Sequence, residues 1–303
     1  MGQTPQTPLI YRFKAMGSPC ELRCFVTGKN AGKRVAEAVE ADILRLEHRY
    51  SRYRPDSLLS NINQVAAVGG VVEIDDETLQ LLNYADTCHQ QSGGLFDITS
   101  GVLRHAWRFK DQQLPSQELI QELLQNVGWH KLELLQDPPR IRFNAPRMEI
   151  DLGGVVKEYA ADRAAVICRN AGVRHGFINL GGDIRVIGPQ PGGEPWTIGV
   201  QHPRRATGEV IGQLRLKHGG MATSGDYERC MLINGERYAH ILNPKTGWPV
   251  KYLASVSVAA NFCLIAGSAA TIAMLLEQDG PAWLEQLGAP HLWMDIAGNV
   301  GGS

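Results

Sequence analysis

Apolar residues recur at helical spacing over 31–49, where Val35, Val39, Ile43 and Leu46 share a face with charges between them, and this predicts an amphipathic helix. Leu79, Leu82, Tyr84 and Ala85 give 77–91 the same pattern up to Gly93-Gly94, and 117–127 reads likewise up to Gly128. The alanine-rich run 155–171, stopped by Gly172, and the apolar run 265–277 predict two further helices. Shorter helical pieces fit 58–64 and 282–287. Between them lie β-forming segments: a pair over 9–27 broken at Gly17-Ser18-Pro19, a hairpin over 138–150, and strands at 176–180, 184–187, 196–201, 209–216, 229–234 and 254–260. Helices and strands interleave, yet several strands are sequence neighbours. A mixed α/β (α+β) fold with antiparallel pairing is therefore predicted, not a doubly wound sheet. No repeat, low-complexity tract or linker divides the chain, so 1–303 reads as one domain of two interleaved, intimately packed lobes, with 298–303 as a tail.

With 303 residues, 44% of them hydrophobic, the chain can build a sizeable core. Its 30 basic and 31 acidic side chains leave no field of one sign, which removes the compositional case for nucleic acid as a partner. No segment approaches the ~20 apolar residues of a membrane span. The opening MGQTPQTPLIYRF lacks the charged start and apolar run of a secretory signal. Cytoplasm is the default location, with the periplasm open to a chain whose leader has been removed. The six cysteines form no CxxC pair, so zinc-ribbon spacing is absent and mostly buried free thiols are expected. Nothing in the pattern speaks to the oligomeric state.

Several short segments carry chemistry. Asp151-Leu152-Gly153-Gly154, followed by Lys157, joins a strand to a helix. The glycines allow close backbone approach, while the helix start supplies N–H donors and a positive dipole end; together with Lys157 these suit a phosphate or pyrophosphate. A tight turn with a surface lysine accounts for the same residues. Asn179-Leu180-Gly181-Gly182-Asp183 is a second glycine turn, and read alone it is a hairpin. Thr223-Ser224-Gly225-Asp226-Tyr227 gathers hydroxyls, a carboxylate and a phenol, which suits either a polar ligand or an ordinary polar turn. His240, ahead of Asn243-Pro244 and Thr246-Gly247, is the kind of group that serves as a general base near neutral pH. No GxSxG, HExxH or Walker-A pattern accompanies it, against hydrolase, zincin and P-loop readings.

In their order along the chain, AMGS at 15–18, SRYRPDS at 51–57, GGLFD at 93–97, DLGGVVKEYAAD at 151–162, INLGGD at 178–183, ATSGDYE at 222–228 and HILNPKTG at 240–247 resemble the ApbE family of FAD:protein FMN transferases. The resemblance spans nearly the whole chain. It implies a two-lobed fold with the flavin site between the lobes, FAD as ligand and substrate, Mg²⁺ as cofactor, and an acceptor protein whose Thr or Ser hydroxyl receives FMN while AMP is released. It implies FAD contacts from Met16, Tyr53, Leu95, Phe96, Asp97, Asp151, Lys157 and the backbone beside Ile241, with His240 as base. Ser224 and Asp226 would hold the surrounding loop. Metal ligands would be the Gly154 carbonyl and Thr271.

The chain departs from the family pattern at two positions. The family's C-terminal helix resembles A-D-A-x-[AS]-T, with a metal-binding aspartate, whereas this chain reads Ala266-Gly267-Ser268-Ala269-Ala270-Thr271. Glycine offers no oxygen to a hard cation, so weakened magnesium binding is expected, with a gain of transfer on Gly267→Asp. Glu158 stands where a glycine is common, a change read as tolerated. Two alternatives to the transferase follow: a non-catalytic FAD-binding protein with a degraded metal site, and an FAD pyrophosphatase in which water replaces the acceptor.

Overall fold

The computed structural model describes residues 8–205, 208–227 and 229–303. Residues 1–7 of the opening stretch and Glu228 of the ATSGDYE segment therefore lie outside the described residues.

An eight-stranded sheet organises the molecule. Its strands are β1 (Leu9–Ala15), β2 (Ser18–Phe25), β6 (His175–Leu180), β7 (Asp183–Gly188), β10 (Gly220–Gly225), β13 (Leu253–Ala260), β14 (His291–Asp295) and β15 (Val300–Gly302), in that spatial order. Every neighbouring pair is antiparallel. The tail expected at 298–303 is thus an edge strand instead, because Val300–Gly302 completes main-chain pairing along β14. The first turn also differs from its expectation. It consists of Met16 and Gly17, with φ of 51° and 73°, and closes on the Ala15–Ser18 pair. A two-residue hairpin loop with both φ positive twists in the sense of its strands.

One face of the sheet carries three helices. α1 (Lys29–Tyr50) packs on β1 and on α5 (Val156–Asn170); α5 covers β6 and β7; α6 (Cys263–Leu275) covers β10 and β13 and lies beside α5. α6 is apolar all round because it is enclosed by the sheet, α5 and α7 (Gly280–Leu287). The opposite face of β7 and β10 is covered by a hairpin of β8 (Trp196–Gln201) and β9 (Val210–Leu216). Trp196, Ile198 and Val200 alternate inward there, against Ile184, Val186 and Met221. Covered on both sides, β7 is buried at all its residues.

The remaining elements form a second layer. α2 (Leu58–Val68) and α3 (Asp76–Gln91) adjoin a three-stranded sheet of β3 (Gly70–Glu73), β5 (Pro139–Phe143) and β4 (Leu132–Gln136). The hairpin expected within 138–150 is therefore corrected: only 139–143 is strand, and its partners lie on either side in β3 and β4. α4 (Gln117–Leu124) and a hairpin of β11 (Cys230–Ile233) and β12 (Glu236–Ala239) enclose an aromatic cluster around Trp107, Tyr238 and Trp248. All six cysteines are unpaired, five of them buried. No helix among the described residues is long and apolar enough to cross a membrane.

Candidate functional site

The Asp151–Gly154 turn enters α5, which starts without a side-chain cap; the Val155 and Val156 N–H groups both donate to Leu152 O at 3.1 Å, and the positive end of the helix dipole faces the turn. Asp151 is held from two directions. One carboxylate oxygen accepts from the Gly153 N–H at 3.1 Å, and the other meets Arg52 Nη1 at 2.8 Å. Gly154 lies over the Phe96 ring, whose Cζ would sit 3.4 Å from a β-carbon there. Lys157, in the first turn of α5, has its Nζ 2.8 Å from Asp183 Oδ2. Asp183 opens β7 and is buried; its other oxygen accepts from Thr223 N at 3.3 Å. Burial pushes the Asp183 carboxyl up, and the Lys157 ammonium opposes that shift.

The Met16–Gly17 and Gly181–Gly182 turns come together at the same end of the sheet. Gly181 N donates to Pro19 O at 3.0 Å, and a β-carbon on Gly181 would collide with Ser18. Arg229 Nη2 lies 3.5 Å from where a β-carbon on Gly17 would sit. The Arg229 carbonyl in turn accepts from the His240 main-chain N–H at 3.0 Å and contacts its Nδ1 at 3.2 Å. A carbonyl only accepts, so Nδ1 carries the imidazole proton and Nε2 keeps a lone pair. Burial pushes the His240 pKa down to about 4; the Arg229 guanidinium adds to the shift, and Lys157 and Arg52 act in the same direction. The histidine thus shares an electrostatic environment with the α5 turn.

The Thr223–Tyr227 segment is strand β10 up to Gly225, not a turn. Its hydroxyls face across to other elements: Thr223 Oγ1 meets Ser257 Oγ at 2.6 Å, and Ser224 Oγ meets Thr271 Oγ1 at 2.8 Å. Asp226, just beyond the strand, is buried and is gripped by Arg204 through both carboxylate oxygens. Ser224 and Asp226 are thus each held by a hydrogen-bond partner on another element. Ile241 packs against the core and its carbonyl accepts from Val250 N at 3.0 Å.

Of the residues around 93–97, Leu95 is half-buried, while Phe96 and the Asp97 carboxylate turn inward. Asp97 Oδ1 accepts from Thr99 N at 2.8 Å and from its hydroxyl at 2.7 Å. Lys245 Nζ donates to Gly93 O at 2.9 Å, tying this loop to the segment after His240. Tyr53 is 69% exposed, beneath the Arg52 guanidinium, which lies 5.3 Å from its ring centre. A hollow of about 690 Å³ is lined by Arg52, Asn63, His105 and Glu149 among others, and includes neither Lys157 nor His240.

Position 267 stands against Glu158. A β-carbon on Gly267 would lie 2.5 Å from Glu158 Cγ and 2.7 Å from its Oε1, so the glutamate fills the space in front of the glycine. Glu158 is 7% exposed and its Oε2 is buried without a hydrogen-bond partner. Burial pushes this carboxyl up, with Asp183 adding to the shift and Lys157 opposing it.

Sequence reading missed four residues here: Arg52, Asp183, Arg229 and Glu158. Arg52 and Asp183 stand inside the motifs and are acidic or basic, which is the only signal the sequence carried for them. Arg229 acts through its carbonyl, which has no sequence signature, and Glu158 matters only beside Gly267.

Compared with known proteins, residues 16–293 match the ApbE family. A Chlamydia muridarum protein named FAD:protein FMN transferase is 30% identical over 257 residues, covering 83% of this chain and 77% of that protein. The crystal structure of the ApbE protein of Thermotoga maritima superposes with a TM-score of 0.90 at 32% identity, covering 98% of this chain and 97% of the other. The apo form of the Pseudomonas stutzeri flavinyl transferase ApbE gives 0.86 at 26% identity, covering 100% and 96%.

Proposed function

The chain belongs to the ApbE family, and from that premise we propose that it moves FMN from FAD to a Thr or Ser hydroxyl of an acceptor protein and releases AMP. The observation that carries this reading is the state of His240. Its Nδ1 proton is committed to the Arg229 carbonyl and its Nε2 keeps an unprotonated lone pair, in the field of the same Lys157 that marks the α5 turn.

Each part of the reaction has a group suited to it. The uncapped start of α5 and Lys157 suit the FAD pyrophosphate. Gly153 and Gly154 let the phosphates approach the main chain closely. Met16, Tyr53 and Leu95 are accessible enough to touch the rest of the dinucleotide, and the buried Phe96 supports the floor under Gly154. In the chemical step, the acceptor hydroxyl oxygen bonds to the phosphorus on the FMN side. The P–O bond toward AMP breaks, AMP leaves with the bonding pair, and the hydroxyl proton passes to His240 Nε2.

Magnesium, when bound, would neutralise charge on the pyrophosphate. The donors fit a hard cation: the Thr271 hydroxyl is half-buried, and an unpartnered carboxylate oxygen is buried beside the same helix. The Gly154 carbonyl and Thr271 would hold it.

The test is a transfer assay with FAD, Mg²⁺ and an acceptor domain carrying a target threonine, read as flavin fluorescence on a denaturing gel with AMP quantified alongside. Fluorescent acceptor with equimolar AMP is expected. FAD binding with no labelled acceptor and no AMP would overturn the transferase in favour of a non-catalytic FAD-binding protein. FMN and AMP released without any acceptor would favour the pyrophosphatase.

A further inference from the structure

Glu158 and Gly267 stand on adjacent helices, α5 and α6, and together they hold one side chain in a space for one. The helices are fixed relative to each other at Asp162. Its carboxylate accepts from the Cys263 and Leu264 N–H groups at the start of α6, both at 3.0 Å, and pairs with Arg185 Nε at 2.8 Å. The Glu158 carboxylate therefore faces Gly267 in a framework that leaves it little room to swing away.

The cations around it are already engaged. Lys157 is engaged with Asp183, and Arg185 with Asp162. Arg169, the third cation of this cluster, donates to the Ile187 and Val186 carbonyls, no ion pair among the described residues reaches Glu158, and the Glu158 Oε2 has no hydrogen-bond donor. A carboxyl this deep keeps its proton unless a cation compensates it, so its ionised form calls for a partner. Thr271 lies one helical turn beyond Gly267 on the same helix, with its hydroxyl braced by Ser224. Carboxylate and hydroxyl oxygens are the donors that hard divalent cations select.

We propose that Glu158 is the carboxylate ligand of a divalent cation in this protein, delivered from α5 into the space that a side chain on α6 at position 267 would occupy. The assignment rests on the transferase reading for the identity of the neighbouring phosphate ligand. It also revises the expectation for Gly267→Asp. That substitution sets a second carboxylate against Glu158 and is expected to weaken the site, not repair it.

The test is Mn²⁺ titration of the full chain with saturating FAD, following the free aquo ion by electron paramagnetic resonance. Glu158→Gln is expected to weaken Mn²⁺ binding at least tenfold while metal-free FAD affinity and the thermal melt hold. Glu158→Gly is expected to lose Mn²⁺ equally, and the exchange Glu158→Gly with Gly267→Asp to recover it to within a few-fold of the parent. Parent-like Mn²⁺ affinity in Glu158→Gln overturns the assignment, as does a parent that binds no Mn²⁺. If Glu158→Gln does not fold, the exchange decides: binding no tighter than Glu158→Gly alone overturns the assignment. A parent that binds Mn²⁺ and never labels an acceptor would overturn the transferase reading while the ligand assignment stands.

Discussion

The carbonyl of Arg229 receives both the main-chain N–H and the Nδ1–H of His240, so one peptide group sets the position and the tautomer of the imidazole. Burial and the nearby Arg229, Lys157 and Arg52 charges hold the ring neutral down to a pKa of about 4, well below the usual 6.5. Because the folded pKa is depressed, the basic form persists as pH falls through 6.5 and is lost only near 4. The kcat/KM profile for FMN transfer is expected to lack an acid limb at 6.5. His240→Ala is expected to lower transfer by roughly 100- to 10,000-fold, the usual range for a general base. A limb centred at 6.5 that His240→Ala removes would show that the ring is not shielded in this way.

Lys157 serves Asp183 and, in the proposed site, the pyrophosphate. Lys157→Met is expected to weaken FAD binding at least tenfold, about 1.4 kcal/mol. It also leaves Asp183 buried without its cation, which costs roughly 2–3 kcal/mol, somewhat less than a fully buried pair. Adding Asp183→Asn should recover stability but not FAD affinity. Paired denaturant melts and flavin-fluorescence titrations separate the two roles; joint recovery would mean that Lys157 acts on FAD only through the fold.

Arg204 holds the Asp226 carboxylate by both oxygens just past β10. Arg204→Ala is expected to lower stability by roughly 2–4 kcal/mol, because the buried acid is left uncompensated. In an Arg204→Ala background, Asp226→Asn should be stabilising. A double-mutant cycle checks this, and additive losses would rule out the coupling.

Gly220 lets β10 touch α6: a β-carbon there would lie 2.8 Å from the Cys263 N and Cα. Main-chain atoms of a helix start cannot swing aside. Gly220→Ala is therefore expected to cost roughly 1–3 kcal/mol by overpacking and to loosen the Ser224–Thr271 contact, weakening Mn²⁺ binding. Thermal melting with Mn²⁺ titration measures both effects.

Much of this was legible in the sequence. Val35, Val39, Ile43 and Leu46 fall on the buried face of α1, as their spacing predicts, and the Gly153-Gly154 turn does feed a helix carrying Lys157. Strand β10 was hidden because Thr223 and Ser224 look like turn residues; they are tolerated in a central strand only because Ser257 and Thr271 meet their hydroxyls. β14 and β15 were missed for a related reason. Gly301 and Gly302 lack β propensity but allow close approach to Trp293 and to the main chain of His291. In the site, the Arg52–Asp151 pair joins residues 99 apart in sequence, and the meaning of Gly267 depends on Glu158 in another helix. Pattern along a chain reports on neighbours in the chain, and these relationships exist only across space.

The shared space of Glu158 and Gly267 also bears on how such a chain varies by descent. Relative to this pair, Glu158→Gly leaves that space without an acid, and Gly267→Asp puts two acids in it. Each single step meets a loss that the second step removes, so the two positions are expected to change together.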